Sequence, residues 1–378
     1  MNLVTKVRKC IPLVFVITKS PTADDDLPVA RLTIRINIFV LIMKILLLRF
    51  SSIGDIVLTT PVVRTIKTQI DQVELHYATK AQYGSLLEAN PYIDKLQLLG
   101  NSWPDFIRDL AKEQYDYVID LHHNLRTFRL KRSLGVTAYS FRKLNWEKWL
   151  MVNLKINKLP ALHIVDRYME TVLPLGVKMD TLGLDYFVPD KDEVPIDWLP
   201  EPFRQTYVVY AIGAQHETKK LPLNRMIELC DRINRPIVLL GGPEDRENGE
   251  AITAFFERKS DGLEATLKEL NKQTRIFNAC GKFNINQSAS LVKGAEFVFS
   301  HDTGLMHIAA AFKKEVFSIW GNTIPAFGMY PYRTRFTVLE NNRLGCRPCS
   351  KIGFKKCPKG HFKCMNDQNL DFYLPYKG

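Results

Sequence analysis

Several signatures that would classify this 378-residue chain at once are missing from it. No G-x-G-x-x-G follows a strand-like run, which argues against a dinucleotide-binding dehydrogenase. No Gly-Lys-Ser/Thr closes a Walker A loop. No close internal repeat or low-complexity tract marks a solenoid or an array. The apolar stretches Cys10 to Thr18 and Ile34 to Ile42 are each too short to span a bilayer, and Lys44 interrupts the second. A basic start followed by Ile11 to Ile17 weakly resembles a signal peptide, but no small-residue cleavage site follows. Cysteine is sparse, with four of seven crowded between Cys346 and Cys364, which is not the pattern of a small secreted disulfide scaffold.

What is present is the composition of a globular protein, 46% hydrophobic and 24% charged. A net charge of +12 points to an acidic partner: nucleic acid, anionic lipid or a phosphorylated substrate. The length favours two domains. Residues 1–42 read differently from the rest, and Met43-Lys44-Ile45-Leu46-Leu47-Leu48 opens directly into a strand. We therefore expect translation to begin at Met43, with the preceding leader a mis-set start.

From Met43 onward strand, turn and helix alternate, as in a parallel sheet covered on both faces. Strands are expected at Met43 to Arg49, Val73 to Ala78, Lys95 to Leu98, Tyr115 to Leu121 and Val136 to Phe141. Val188 to Phe203 carries four prolines and five acidic residues and reads as a linker. A second series follows at Tyr207 to Ile212, Pro236 to Leu240, Arg275 to Ala279, Glu296 to Phe299, Val316 to Trp320 and Phe336 to Leu339. The expected fold class is α/β, two doubly wound Rossmann-like domains at 43–187 and 206–378 joined by a linker at 188–205. A ligand cleft is expected between them, at the carboxyl ends of the strands.

The turns leaving these strands carry the chemistry. Arg49-Phe50-Ser51-Ser52-Ile53-Gly54-Asp55-Ile56 places a carboxylate beside a glycine at the cleft edge. Asp55 there is either a helix cap or a general base. In Ser300-His301-Asp302-Thr303-Gly304-Leu305-Met306-His307, Asp302 stands where an N-cap belongs. The N–H groups of Thr303, Gly304 and Leu305 would then face an anion, with Gly304 leaving room for it. Lys219, in Lys219-Lys220-Leu221-Pro222, would reach a phosphate as a point charge or belong to a solvated loop. Glu244, with Asp245 adjacent, follows Gly241-Gly242-Pro243 at a position suited to ribose hydroxyls or to an ordinary turn.

The order and spacing of these turns resemble glycosyltransferase family 9, which holds the lipopolysaccharide core heptosyltransferases. The stretch Met43 to Pro61 and the turn Asp302 to His307 are the most specific pieces. The resemblance implies a GT-B fold and inverting transfer of a sugar from a nucleotide diphosphate, ADP-heptose above all, with another nucleotide sugar as the alternative. It implies Asp55 as the base and Lys219 on the donor phosphates. Thr303, Gly304 and Leu305 would bind diphosphate through backbone amides, Asp302 donor hydroxyls and Glu244 ribose. No metal is required on this scheme, and Asp24-Asp25-Asp26 lies in the leader. The implied acceptor is an anionic glycolipid, and the implied place of work is cytoplasmic, at the inner face of the inner membrane.

On the acceptor side Ser52, Gly54, Arg126, His163 and Arg167 are the candidates. A basic and aromatic segment there includes Arg129, Lys131, Arg132, Arg142, Lys143, Trp146, Lys148 and Trp149, which suits an acidic headgroup at a membrane surface. Nucleic acid would suit the charge but leaves both specific turns unexplained. Finally, Cys346-Arg347-Pro348-Cys349 with Cys357 and Cys364 suggests structural zinc, though the second pair is too widely spaced for a standard ribbon. Reduced thiols or a redox pair are the alternatives.

Overall fold

The computed structural model describes residues 42–260 and 272–374, and a short antiparallel pairing of Ile11–Pro12 with Phe39–Val40. The leader reading, with its acidic run Asp24 to Asp26, falls almost wholly outside the described residues. Two parallel sheets account for the architecture. The first contains β1 (Met43–Leu48), β2 (Val73–Lys80), β3 (Lys95–Leu99), β4 (Tyr117–Asp120) and β5 (Thr137–Ser140), in the order 3-2-1-4-5. Its helices are α1 (Ile53–Val57), α2 (Thr60–Gln69), α3 (Trp103–Lys112), α4 (Leu125–Leu134), α5 (Asn145–Trp149) and α6 (Ile164–Met169). The apolar run of β1 makes it the central strand: Ile45 through Leu48 are fully buried, and Leu48 lies opposite both Ala78 and Asp120. Pro61 sits in the first turn of α2, where its missing N–H is not needed, so that helix starts at Thr60 without a kink.

The second sheet contains β6 (Val208–Ala211), β7 (Pro236–Leu240), β8 (Arg275–Asn278), β9 (Phe297–His301), β10 (Glu315–Trp320) and β11 (Phe336–Glu340), in the order 8-7-6-9-10-11. Around it lie α7 (Leu223–Ile233), α8 (Arg246–Ser260), α9 (Ile285–Gly294), α10 (Gly304–Ala311) and α11 (Lys363–Asn366). Strand order reverses beside β1 in one sheet and beside β6 in the other. Ligands of doubly wound folds bind at such switch points, outside the carboxyl ends of the strands. The four turns singled out in the sequence leave β1, β6, β7 and β9 at that end. The two α/β units form a GT-B fold.

The expected linker is not a free tether. It folds into three short 3-10 turns at Asp190–Asp192, Ile196–Trp198 and Glu201–Phe203. Asp192 accepts hydrogen bonds from Asn284 and Asn286, and Glu193 from Ser290 and Lys293, which fastens the segment along α9. Further back, Arg64 of α2 is buried and pairs with Asp180 and Asp185, anchoring the chain as it leaves the first sheet. Among the described residues no helix is long and apolar enough to cross a membrane.

Candidate active site between the two sheets

The turn after β1 holds Asp55 in α1, about one-fifth exposed and oriented from two sides. Arg49 Nη2 stands 2.8 Å from its Oδ2, and Ser52 donates to the same oxygen from both its hydroxyl (3.0 Å) and its amide (3.3 Å). Arg49 is itself fixed by the carbonyls of Ser51 and Leu121 and by the Tyr168 hydroxyl. Burial would raise the Asp55 pKa, but the Arg49 charge and the Ser52 bonds outweigh it and hold the carboxyl below its ordinary value. Asp55 is therefore an ionised carboxylate at neutral pH, with its other oxygen, Oδ1, outside this network. Of the two readings of Asp55, the cap is present: it closes a capping box with Ser52. Ser52, expected on the acceptor side, donates to the Asp55 carboxylate and holds it in place.

Across the cleft, Lys219 Nζ pairs with Asp302 Oδ2 at 2.7 Å, and the Thr323 hydroxyl donates to the same oxygen at 2.9 Å. Asp302 is thus not the N-cap. Thr303 takes that position without any side-chain cap bond, because the Asp302 carboxylate is turned toward Lys219 and Thr323. The first-turn amides of α10 are left without a side-chain acceptor, which suits an anion. The lysine turn is secured from beneath by His301, fully buried, whose Nε2 accepts the Leu221 amide. Burial keeps that imidazole neutral, pushing its pKa down to about 3. At the β7 turn the two adjacent acids separate cleanly. Asp245 is buried, accepting from Lys220 Nζ and the Gly242 amide, whereas Glu244 is exposed at the rim.

The glycines bring the two halves together. A Cβ at Gly54 would stand 2.7 Å from His307 Cδ2, and one at Gly304 would stand 2.7 Å from Ile53 Cγ2. Gly54 and Gly304 therefore both serve the close approach of α1 to α10. His307, missed as a site residue, is buried between the halves within electrostatic reach of Asp55 and Asp302. Burial pushes its pKa down to about 4, and its Nδ1 has no hydrogen-bond partner. Asn322, beside Thr323, is buried with both amide atoms unpartnered. A phosphate-lysine turn and an acid turn are the usual sequence signals; nothing at Asn322 marks it in advance.

Beside the β1 turn opens a cavity of about 700 Å³ lined by Phe50, Lys80, Trp103, His122, Arg126 and Arg129, among others. Arg126 lies over the Trp103 ring at 5.4 Å. Leu125 and Phe128 of the same helix are exposed. His163, expected to line the acceptor side, is instead interior. Its ring lies between Tyr330 and Tyr332, Nδ1 accepts the Val165 amide, and Nε2 lies 2.9 Å from the Tyr330 carbonyl. Arg167 is also buried, at 2% exposure, so it does not belong to an open surface.

Cys346, Cys349 and Cys357 of the loop after β11 and Cys364 of α11 are free thiols within electrostatic reach of one another. Burial and the neighbouring sulfurs push Cys364 up to about 12, and Cys346 Sγ is 3.9 Å from His361 Nε2. Among the described residues, however, the grouping of three possible ligand atoms within 4.8 Å of one another is Glu74, His76 and Glu113. Those carboxylates already pair with Lys44 and Lys95 at the amino ends of β1 and β3, away from the cleft. The cysteine sulfurs gather without closing into a tetrahedral set.

Comparison with known proteins agrees with this architecture. The chain is 23% identical over 308 residues to lipopolysaccharide heptosyltransferase 1 of Campylobacter coli, covering 74% of this chain and 84% of that one. Among solved structures it resembles a family 9 glycosyl transferase of Veillonella parvula, with TM-score 0.62 and 21% identity over 79% of this chain and 86% of that one. It also resembles the ADP-heptose lps heptosyltransferase II of E. coli, with TM-score 0.61 and 18% identity over 86% of this chain and 98% of that one. Residues 103–359 match glycosyltransferase family 9 (heptosyltransferase), and the chain belongs to that family.

Proposed function

We propose that this glycosyltransferase moves a heptose from ADP-heptose to an acidic glycolipid of the lipopolysaccharide core, with inversion at the anomeric carbon. The observation carrying this reading is the opposition of two turns: Asp55 held by Arg49 and Ser52 on one side, and Lys219 with the uncapped start of α10 on the other. Asp55 Oδ1 takes the proton of the acceptor hydroxyl as its oxygen bonds to the anomeric carbon. The bond from that carbon to the diphosphate oxygen breaks, and the electron pair leaves with ADP. Lys219 and the amides of Thr303, Gly304 and Leu305 stabilise the departing charge. Asp302 orients donor hydroxyls once the diphosphate has drawn Lys219 away, and Glu244 receives the ribose. A single displacement of this kind inverts configuration.

The 700 Å³ cavity with Arg126 accommodates the acceptor. Trp146 and Trp149 stack at 5.2 Å and remain 65% and 47% exposed, and Leu154 and Ile156 follow them. Exposed indoles beside basic residues suit the headgroup level of the inner membrane's inner face. Calorimetry with ADP, UDP, GDP and dTDP tests the donor. Selective ADP binding is expected; selective binding of another nucleotide keeps the fold but moves the enzyme to another sugar. Structural zinc at Cys346, Cys349, Cys357 and Cys364 is a separate proposal, in which the metal would draw the sulfurs together. Stoichiometric zinc in protein purified under reducing conditions is the expected result, and its absence ends that idea.

A further inference from the structure

The turn leaving β10 was not among those singled out in the sequence, yet it touches the donor side directly. Strand β10 runs parallel to β9 with Ile319 opposite His301, so residues 321–323 pass beside Asp302. There the Thr323 hydroxyl donates to Asp302 Oδ2 at 2.9 Å. Residues 320–324 are all buried, and beyond Trp320 their carbonyls have left the strand. Buried carbonyls outside a ladder need donors from elsewhere.

The loop after β11 supplies them. Arg347, 8% exposed, donates from Nε to the Gly321 carbonyl and from Nη2 to the Thr323 carbonyl at 2.9 Å. Between them, the Asn322 carbonyl accepts the Cys349 amide at 3.2 Å. One Cys-Arg-Pro-Cys segment thus holds the turn along its length. Arg347 is itself fixed, by the Asn341 carbonyl at 2.7 Å and by Glu340 Oε2 at 2.9 Å. A planar guanidinium meets several acceptors at set angles, which a lysine ammonium does not.

The turn has little room to shift. A Cβ at Gly321 would stand 2.8 Å from the carbonyl oxygen of Thr218, next to Lys219, and 2.6 Å from Met365 Cε. Phe354 of the same loop ties down Thr218. Its amide donates to Thr218 Oγ1 at 2.8 Å, and its carbonyl accepts the Thr218 amide at 3.2 Å. Among the described residues, the Asp302 carboxylate is held by Lys219 and Thr323. On the mechanism proposed above, the diphosphate draws Lys219 away, and Thr323 is left to orient it.

We propose that Arg347 is a positioning residue for the donor sugar: by fixing the carbonyls of Gly321 and Thr323, it sets the Thr323 hydroxyl and through it the Asp302 carboxylate. This rests on the reading of Asp302 as the group that meets donor hydroxyls. Arg347 acts on the sugar without touching it. The loop that carries the cysteines is then part of the donor side.

The test compares the full chain with Arg347→Lys, Thr323→Val and the double variant, titrating ADP and ADP-heptose by calorimetry. Arg347→Lys keeps the charge beside Glu340 but loses the fork, and Thr323→Val keeps the shape but loses the hydroxyl. Each is expected to weaken ADP-heptose binding about three- to tenfold, with ADP affinity within about twofold of wild type. The double variant is expected to lose no more than the weaker-binding single one, because both substitutions break the same link. Wild-type affinity for ADP-heptose in either variant overturns the proposal. So do losses that multiply in the double variant, and so do equal losses for ADP and ADP-heptose, which mark a general scaffold. If Arg347→Lys does not fold, Glu340→Gln, which removes the carboxylate from the guanidinium, takes its place under the same criteria. A wild type that binds no ADP-heptose removes the donor reading instead. The coupling of the two substitutions is then read in unfolding free energy, where additive losses still overturn the link between Arg347 and Thr323.

Discussion

Asp55→Asn is expected to lower the transfer rate about 10²- to 10⁴-fold while ADP affinity stays close to wild type. Asparagine preserves size and one acceptor oxygen but cannot take the hydroxyl proton. Rate assays with the natural acceptor and calorimetry with ADP separate the two effects, and wild-type turnover in the variant would remove Asp55 as the base. Arg49 then loses its anionic partner at 10% exposure, so a melting curve must accompany the assay. The pH profile gives a second reading. The Asp55 carboxyl is held below its ordinary value of 3.8, so the ionised form persists as pH falls and the acid limb of activity lies below the usual carboxylate range. The same sign governs stability: the Arg49–Asp55 contribution is complete above the unfolded value and is lost as pH falls through the folded one. Replacing Arg49 with Met leaves burial unopposed by its charge, and the acid limb moves upward.

Lys219→Ala is expected to weaken ADP binding roughly 10- to 100-fold, the equivalent of one charge-assisted hydrogen bond. AMP binding is expected to change little, on the proposal that Lys219 contacts the outer phosphate. Discrimination between ADP and AMP therefore collapses, which calorimetry reads directly. Transfer falls beyond the loss in affinity, since charge on the departing diphosphate grows toward the transition state. Asp302 remains positioned through Thr323, so loss of the donor site as a whole is not the expected cause. Equal losses for ADP and AMP would show that Lys219 acts by holding the turn rather than by touching phosphate.

Much of this arrangement was legible in the sequence because parallel strands buried on both faces are written as continuous apolar runs. β1 and β9 are such runs, and the chemistry-bearing turns follow directly from them. What the sequence could not display were partnerships made only on folding. Asp302 stands one residue before the cap, and only the approach of Lys219 and Thr323 shows where its carboxylate turns. The prolines and acids of 188–205 have linker composition, but Asp192 and Glu193 find amides, a hydroxyl and an ammonium on α9. His163 and Arg167 share a helical face with polar character, yet α6 lies between the two units and that face is interior.

The contact between Gly54 and Gly304 sets a rule of passage. Where backbone lies against backbone, a sugar ring has no path through, and no side chain can yield to make one. A ligand therefore enters the cleft beside this contact and not through it. A second tie runs outside the reacting groups, where Lys155 bonds the carbonyls of the cysteine loop. The two ties together fix how α1 stands against α10, and so where each side of the cleft presents its groups.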